Sequence, residues 1–104
     1  MNGKVAYIAG PYRADCEWRV KQNIDAAEKV ALNWFMGYAA ICPHKNSGFM
    51  GGACADHVWL DGCLEMLGRC DAIVMMEGWR ESEGAVGEHE YAMRRGLEVI
   101  YDFD

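Results

Sequence analysis

Residues 72–76 read Ala-Ile-Val-Met-Met, apolar at every position, with Cys70-Asp71 before them and Glu77-Gly78 after. A short apolar run closed off by polar and turn residues fits a strand buried on both faces, and it is too short for a buried helix.

Working outward from it, the same alternation repeats. Downstream, Glu77 to Gly84 is a polar loop. Ala85 to Arg95 has helical spacing, with two arginines in its last turn and Gly96 after it, and Leu97 to Tyr101 is a final strand. Upstream, Asp56 caps a helix with Leu60, Cys63, Leu64 and Leu67 on one face, closing near Gly68, while Lys45 to Ala55 is a loop of Gly and small residues. Tyr38 to Cys42 is a strand ended by Pro43. The helix before it runs from an N-cap at Asp15 to about Met36, with Gly37 to close it. Val5 to Ala9 is the first strand, stopped by Gly10-Pro11. The order β-α-β-α-β-α-β predicts one domain over residues 1–104, a small doubly wound (flavodoxin- or Rossmann-like) α/β fold. Its parallel sheet would have four to five strands and helices on both faces. Ligands of such folds sit at the carboxyl ends of the strands, which selects the loops Gly10 to Asp15, Pro43 to Ala55 and Glu77 to Gly84.

Composition narrows the function. With 104 residues and a net charge of −6, the chain is unsuited to nucleic-acid polymers, which need clustered Lys and Arg, although a single phosphate needs only a few donors. No apolar run approaches the length of a membrane span, and the N-terminus carries no secretory leader, so a cytoplasmic protein is expected. Five cysteines, an odd number, then read as reduced thiols. A zinc set of Cys42, His44, Cys54 and His57 is the alternative, but C-x-H-x9-C-x2-H is not a common finger spacing, and no metal is expected. A domain of this size buries only about 60–65% of its unfolded surface, and four Trp, five Tyr and three Phe are generous for it, which is compatible with a homodimer or higher oligomer.

The densest chemical signal is Ser82-Glu83-Gly84-Ala85-Val86-Gly87-Glu88-His89-Glu90-Tyr91-Ala92. Glu88 lies about one turn inside the helix and shares a face with Ala85 and Ala92, whose small side chains suit close packing on the sheet, so its carboxylate is expected to point inward. The helix amino end favours the ionised form, and an ionised carboxylate beside a pocket is a reasonable nucleophile for an anomeric carbon. The competing reading is a solvated surface glutamate. Ser82 and Gly84 at the helix start make either an anion site or a plain cap. Gly10-Pro11-Tyr12-Arg13 fits neither the dinucleotide fingerprint nor the P-loop, although Arg13 has the fork to hold a phosphate. Tyr7, Tyr12 and Trp79 are aromatics able to stack on a base, and Tyr7 reads equally as a core residue.

Together these pieces resemble the nucleoside 2-deoxyribosyltransferase superfamily, including the deoxynucleoside monophosphate N-glycosidases and small phage-type members. The resemblance runs from Tyr7-Ile8-Ala9-Gly10-Pro11 through Cys70-Asp71-Ala72-Ile73-Val74 to Ser82-x-Gly84-x3-Glu88-x3-Ala92, the last spacing being the most specific. It implies N-glycosidic transfer or hydrolysis on a nucleoside or its 5′-monophosphate, without a cofactor. Glu88 matches the catalytic nucleophile and Tyr7 the tyrosine that orients it. Gly10 and Arg13 match one loop near the 5′-phosphate, Ser82 and Gly84 the other. The family's second helix often carries an aspartate just before a Leu-x-x-Leu stretch. Aligned on Leu64-Glu65-Met66-Leu67, that place holds Cys63, with Asp61 two residues earlier. His44, Asp61 and Glu81 are the candidates for the general acid. A non-catalytic nucleotide-binding module is the alternative function.

Overall fold

Apolar strands and amphipathic helices alternate as expected. The computed structural model describes residues 3–12, 16–35, 37–43 and 56–103, with backbone alone at 56, 57 and 59. In chain order it contains β1 (Val5–Ala9), α1 (Glu17–Trp34), β2 (Ala39–Ile41), α2 (Asp56–Leu67), β3 (Ala72–Met76), a 3-10 turn (Trp79–Glu81), α3 (Glu83–Arg95) and β4 (Glu98–Asp102). The strands form a four-stranded parallel sheet in the order β2-β1-β3-β4. Chain direction across the sheet reverses between β1 and β3, which makes their carboxyl ends the switch point of a doubly wound fold.

Strand parity divides the core in two. Tyr7, Ala9, Ile73 and Met75 face α2 and α3, where Leu67, Ala85 and Ala92 complete one buried cluster. Ala6, Ile8, Ala72, Val74 and Met76 face α1, which buries Ala27 and Ala31 against them. Three-residue and four-residue steps along α1 bury Ile24, Ala27 and Ala31, the spacing that keeps one stripe of a helix inward. Two polar contacts tie the α1 side to β4: Trp34 Nε1 donates to Asp102 at 3.1 Å, and the Tyr38 hydroxyl donates to Glu98 at 2.8 Å.

Several boundaries differ from the sequence reading. The residue capping α1 is Cys16, extended at φ −151 and ψ 157, with no side-chain cap bond; Asp15 lies outside the described residues. At the other end α1 stops at Trp34, whose carbonyl accepts from Gly37. The last helix starts two residues earlier than expected, because Ser82 is its cap: the hydroxyl oxygen accepts from the Ala85 amide at 3.3 Å. Its far end closes on Gly96 at φ 74. The Gly96 amide donates to Met93 and the Leu97 amide to Ala92, which satisfies carbonyls that would otherwise be left open.

Candidate active site

The site begins with α3. Ala85 and Ala92 are 1% and 0% exposed, so this helix lies close on the sheet, and Glu88, on the same face, is carried inward. There it accepts a hydrogen bond from the hydroxyl of Tyr7, the middle residue of β1, which is itself fully buried. The pair therefore sits on the α2 and α3 face of the sheet, below its carboxyl edge. A third group comes from α2: Cys63, half-buried, packs against the core cluster that contains Tyr7.

Burial governs the electrostatics here. Desolvation raises the Glu88 pKa to about 7, and the Tyr7 bond, which favours the charged form, offsets only part of that. The expectation of a helix amino end holding Glu88 ionised is thus corrected. Glu88 is the sixth residue of α3, past the first turn where the dipole acts, and burial outweighs it. Tyr7 is pushed far above its usual range, first by burial and then by the Glu88 charge and Cys63. Burial likewise raises the Cys63 thiol, against the opposing effect of the nearby Tyr7 hydroxyl. At neutral pH both therefore carry their protons.

Beside Glu88 lies a cleft of about 390 Å³ between α2 and α3. Leu60 and Leu64 form one wall, and Gly84, Gly87 and Tyr91 the other. The glycines keep it open: a Cβ on Gly87 would meet nothing within 4 Å, and one on Gly84 would stand 3.8 Å from Leu60. Glu83, Glu90 and Arg94 also line it.

The remaining expected residues fall unevenly around this centre. Gly84 lines the cleft, and Ser82 caps the helix that bears Glu88. Gly10 packs tightly under Met76: an added Cβ would lie 2.5 Å from its sulfur, so glycine there answers a packing need. Trp79, in the segment expected as a polar loop, lies in the 3-10 turn and is drawn into the core. It is 6% exposed, its ring stacks on His89 at 4.4 Å, and the Arg80 guanidinium lies 5.2 Å from the ring centroid, so its faces are occupied by protein. Asp61 is exposed, because α2 turns Cys63 rather than Asp61 toward Tyr7, and Glu81 is exposed as well. Arg13, His44 and Cys54 lie outside the described residues, as does the side chain of His57; Cys42 is half-buried against the α1-side core. The sequence reading assigned no role to Gly87 or Tyr91. Their three- and four-residue steps from Gly84 and Glu88 are the signal that places them on the cleft face.

A family model described as a domain of unknown function (DUF4406) matches residues 4–101. No curated protein matches the chain. Among solved structures it is similar to the 2-desoxiribosyltransferase from Leishmania mexicana, with a TM-score of 0.63 and 18% identity over 94% of this chain. The chain spans 63% of that protein's length. At such identity the likeness is one of fold.

Proposed function

Because the chain belongs to the DUF4406 family, whose description carries no activity, we propose its function from the site: cleavage or transfer at the N-glycosidic bond of a deoxynucleoside or its 5′-monophosphate. The observation that carries this reading is the Tyr7 to Glu88 hydrogen bond at the wall of an open cleft. A carboxylate buried on one side and open to a hollow on the other has the disposition of a nucleophile. The likeness of fold to a deoxyribosyltransferase supports the same reading.

In the proposed reaction an ionised Glu88 oxygen attacks C1′ and a glycosyl ester forms. The bond from C1′ to the base nitrogen breaks, and its electron pair leaves with the base, which takes up a proton. Water or a second base then attacks C1′ and releases the carboxylate, as in retaining glycosidases. Tyr7 holds the carboxylate in line. The amino end of α3 at Ser82 and Gly84, together with Arg13, would receive a 5′-phosphate. We place the protein in the cytoplasm as a homo-oligomer of the small phage-type branch.

The direct test is incubation with a panel of nucleosides and monophosphates, followed by detection of free base, with Glu88→Gln as the control. Mass spectrometry with a 2′-fluoro nucleoside adds the intermediate: an adduct on Glu88 supports the assignment, and an adduct elsewhere overturns it. The exposure of Asp61 and the inward place of Cys63 favour one second reading, a binding module that keeps the pocket without turnover. It requires ligand-induced stabilisation that persists in Glu88→Gln, with no base released by either form.

A further inference from the structure

The cleft beside Glu88 has two unlike ends. Gly84, Glu88 and Tyr91 line it in steps of four and three residues along α3. At about 1.5 Å of rise per residue, Gly84 lies about 6 Å to one side of Glu88 and Tyr91 about 4.5 Å to the other. The Gly84 end is built from glycine, Leu60 and the exposed Glu83, and it lies at the helix start, which favours an anion. At the other end Leu64 stands with Tyr91, the aromatic residue among the described lining residues. Arg94 is there too, but its guanidinium is exposed and shared with Glu90 at 3.6 Å, so its charge is largely screened.

The Tyr91 ring is held from three sides. Its hydroxyl reaches the end of α2 at Gly68, where an added Cβ would stand 3.0 Å from it. The Arg95 guanidinium lies over one face, 5.3 Å from the ring centroid. The ring also packs, as Leu64 does, against the core cluster that contains Tyr7. The surface it has left lines the cleft.

We propose that Tyr91 is the platform on which the base of the substrate stacks, and that Gly68 is a positioning residue that seats it. Base and 5′ carbon leave a deoxyribose at C1′ and C4′, on opposite sides of the ring oxygen. A sugar with C1′ at Glu88 and its 5′ group toward the helix start therefore sends its base toward Tyr91. A flat base gains little from glycines and a carboxylate, and more from an aromatic ring beside Leu64. Arg95 occupies one face of that ring, which leaves the other for the base. Because the ring is fixed before the ligand arrives, little ordering is lost on binding.

This inference rests on the proposed function for the place of the sugar at Glu88, but its test reads binding and not turnover. Glu88→Gln is the background, so that ligands stay intact. NMR titration of the full chain compares 2′-deoxyadenosine 5′-monophosphate with base-free 2-deoxyribose 5-phosphate. Tyr91→Ala is expected to weaken the nucleotide by about 10- to 100-fold, the range for one base on one aromatic ring, and to leave the sugar phosphate unchanged. Tyr91→Phe keeps the ring and should recover most of that loss. Gly68→Ala should weaken the nucleotide by about 3- to 10-fold in the Tyr91 protein and not at all in Tyr91→Phe, where the hydroxyl it crowds is gone. Equal losses on both ligands, or an unchanged nucleotide affinity in Tyr91→Ala, overturn the proposal.

A measurement that leaves Tyr91 in place guards against variants that fold poorly. With the nucleotide bound to the Glu88→Gln protein, adenine protons should give intermolecular NOEs to the Tyr91 ring. Contacts from adenine to other residues alone, or no binding at all, overturn the proposal. If the Tyr91 contacts are found while the native protein releases no base, the platform stands and the reaction assignment falls. If base is released while adenine makes no contact with Tyr91, the reaction stands and the platform falls.

Discussion

Tyr7 and Glu88 stand 81 positions apart in the chain and share one hydrogen bond across the packing of β1 against α3. Neither group can reach water freely from its protein side, so the bond fixes the carboxylate toward the cleft between α2 and α3. Stability, and the turnover and ligand binding proposed above, depend on that arrangement in a measurable way.

The first concerns stability. Folding moves the Glu88 pKa from 4.5 to about 7, so the folded state holds this proton more tightly than the unfolded state. Stability then falls as pH rises through that window and stays lower above it, by on the order of 3 kcal/mol. Glu88→Gln removes the charge and keeps the shape. It is expected to raise Tm by several degrees at pH 8 and to leave it nearly unchanged at pH 4.5, read by thermal melts at both.

The second is the pH dependence of turnover. A nucleophilic Glu88 must be ionised, so kcat/KM is expected to rise about tenfold per pH unit below the Glu88 pKa of about 7 and to level off above it. Tyr7→Phe removes the bond that lowers the Glu88 pKa. Its rise should lie at higher pH, with a plateau about 10- to 100-fold lower, the worth of one hydrogen bond to a charged group. A profile that is flat from pH 5 to 8 in the native protein would contradict the assignment.

The third separates the cleft from the fold. A side chain at Gly87 has free space around its Cβ and improves helix propensity, yet it projects into the cleft. Gly87→Leu is expected to hold or raise Tm, by up to about 1 kcal/mol of stability, while abolishing stabilisation by a deoxynucleoside monophosphate. Undiminished ligand stabilisation would place binding elsewhere.

The fourth is steric. In Gly10→Ala the new methyl would lie 2.5 Å from the Met76 sulfur and 2.8 Å from its Cβ. A loss of about 1–3 kcal/mol is expected, measured by urea denaturation. Met76→Ala in the same chain should restore part of it, since the two changes share one space; strict additivity would show that the clash is not the cause.

The alternation of apolar strands with helices was legible from the sequence because buried parallel strands are apolar at every position, as 72–76 are. The Ala85, Glu88, Ala92 spacing likewise placed the carboxylate inward, since two small residues seat a helix against a sheet. Other features depend on contacts that spacing does not encode. The pKa of Glu88 is set by how completely the surrounding core excludes water, which outweighs its modest distance from the helix amino end. Trp79 sits in a segment that reads as a polar loop, yet His89 from α3 stacks on it and the core takes it in. Cys63 attracts attention in the sequence only as an absent aspartate, while in the fold it packs against the buried cluster that contains Tyr7.

The two neighbours of Tyr7 across the sheet are Ile41 and Ile73, so its orientation is inherited from the pairing on both sides. Sliding β1 by a single residue would turn the phenol toward α1 and offer Ala6 or Ile8 to the carboxylate instead. Such a mispaired chain could remain dense, helical and spectroscopically ordinary while lacking the pair altogether. The fraction of a preparation in which the Glu88 carboxyl titrates near 7 is therefore a stricter measure of correct refolding than circular dichroism or light scattering.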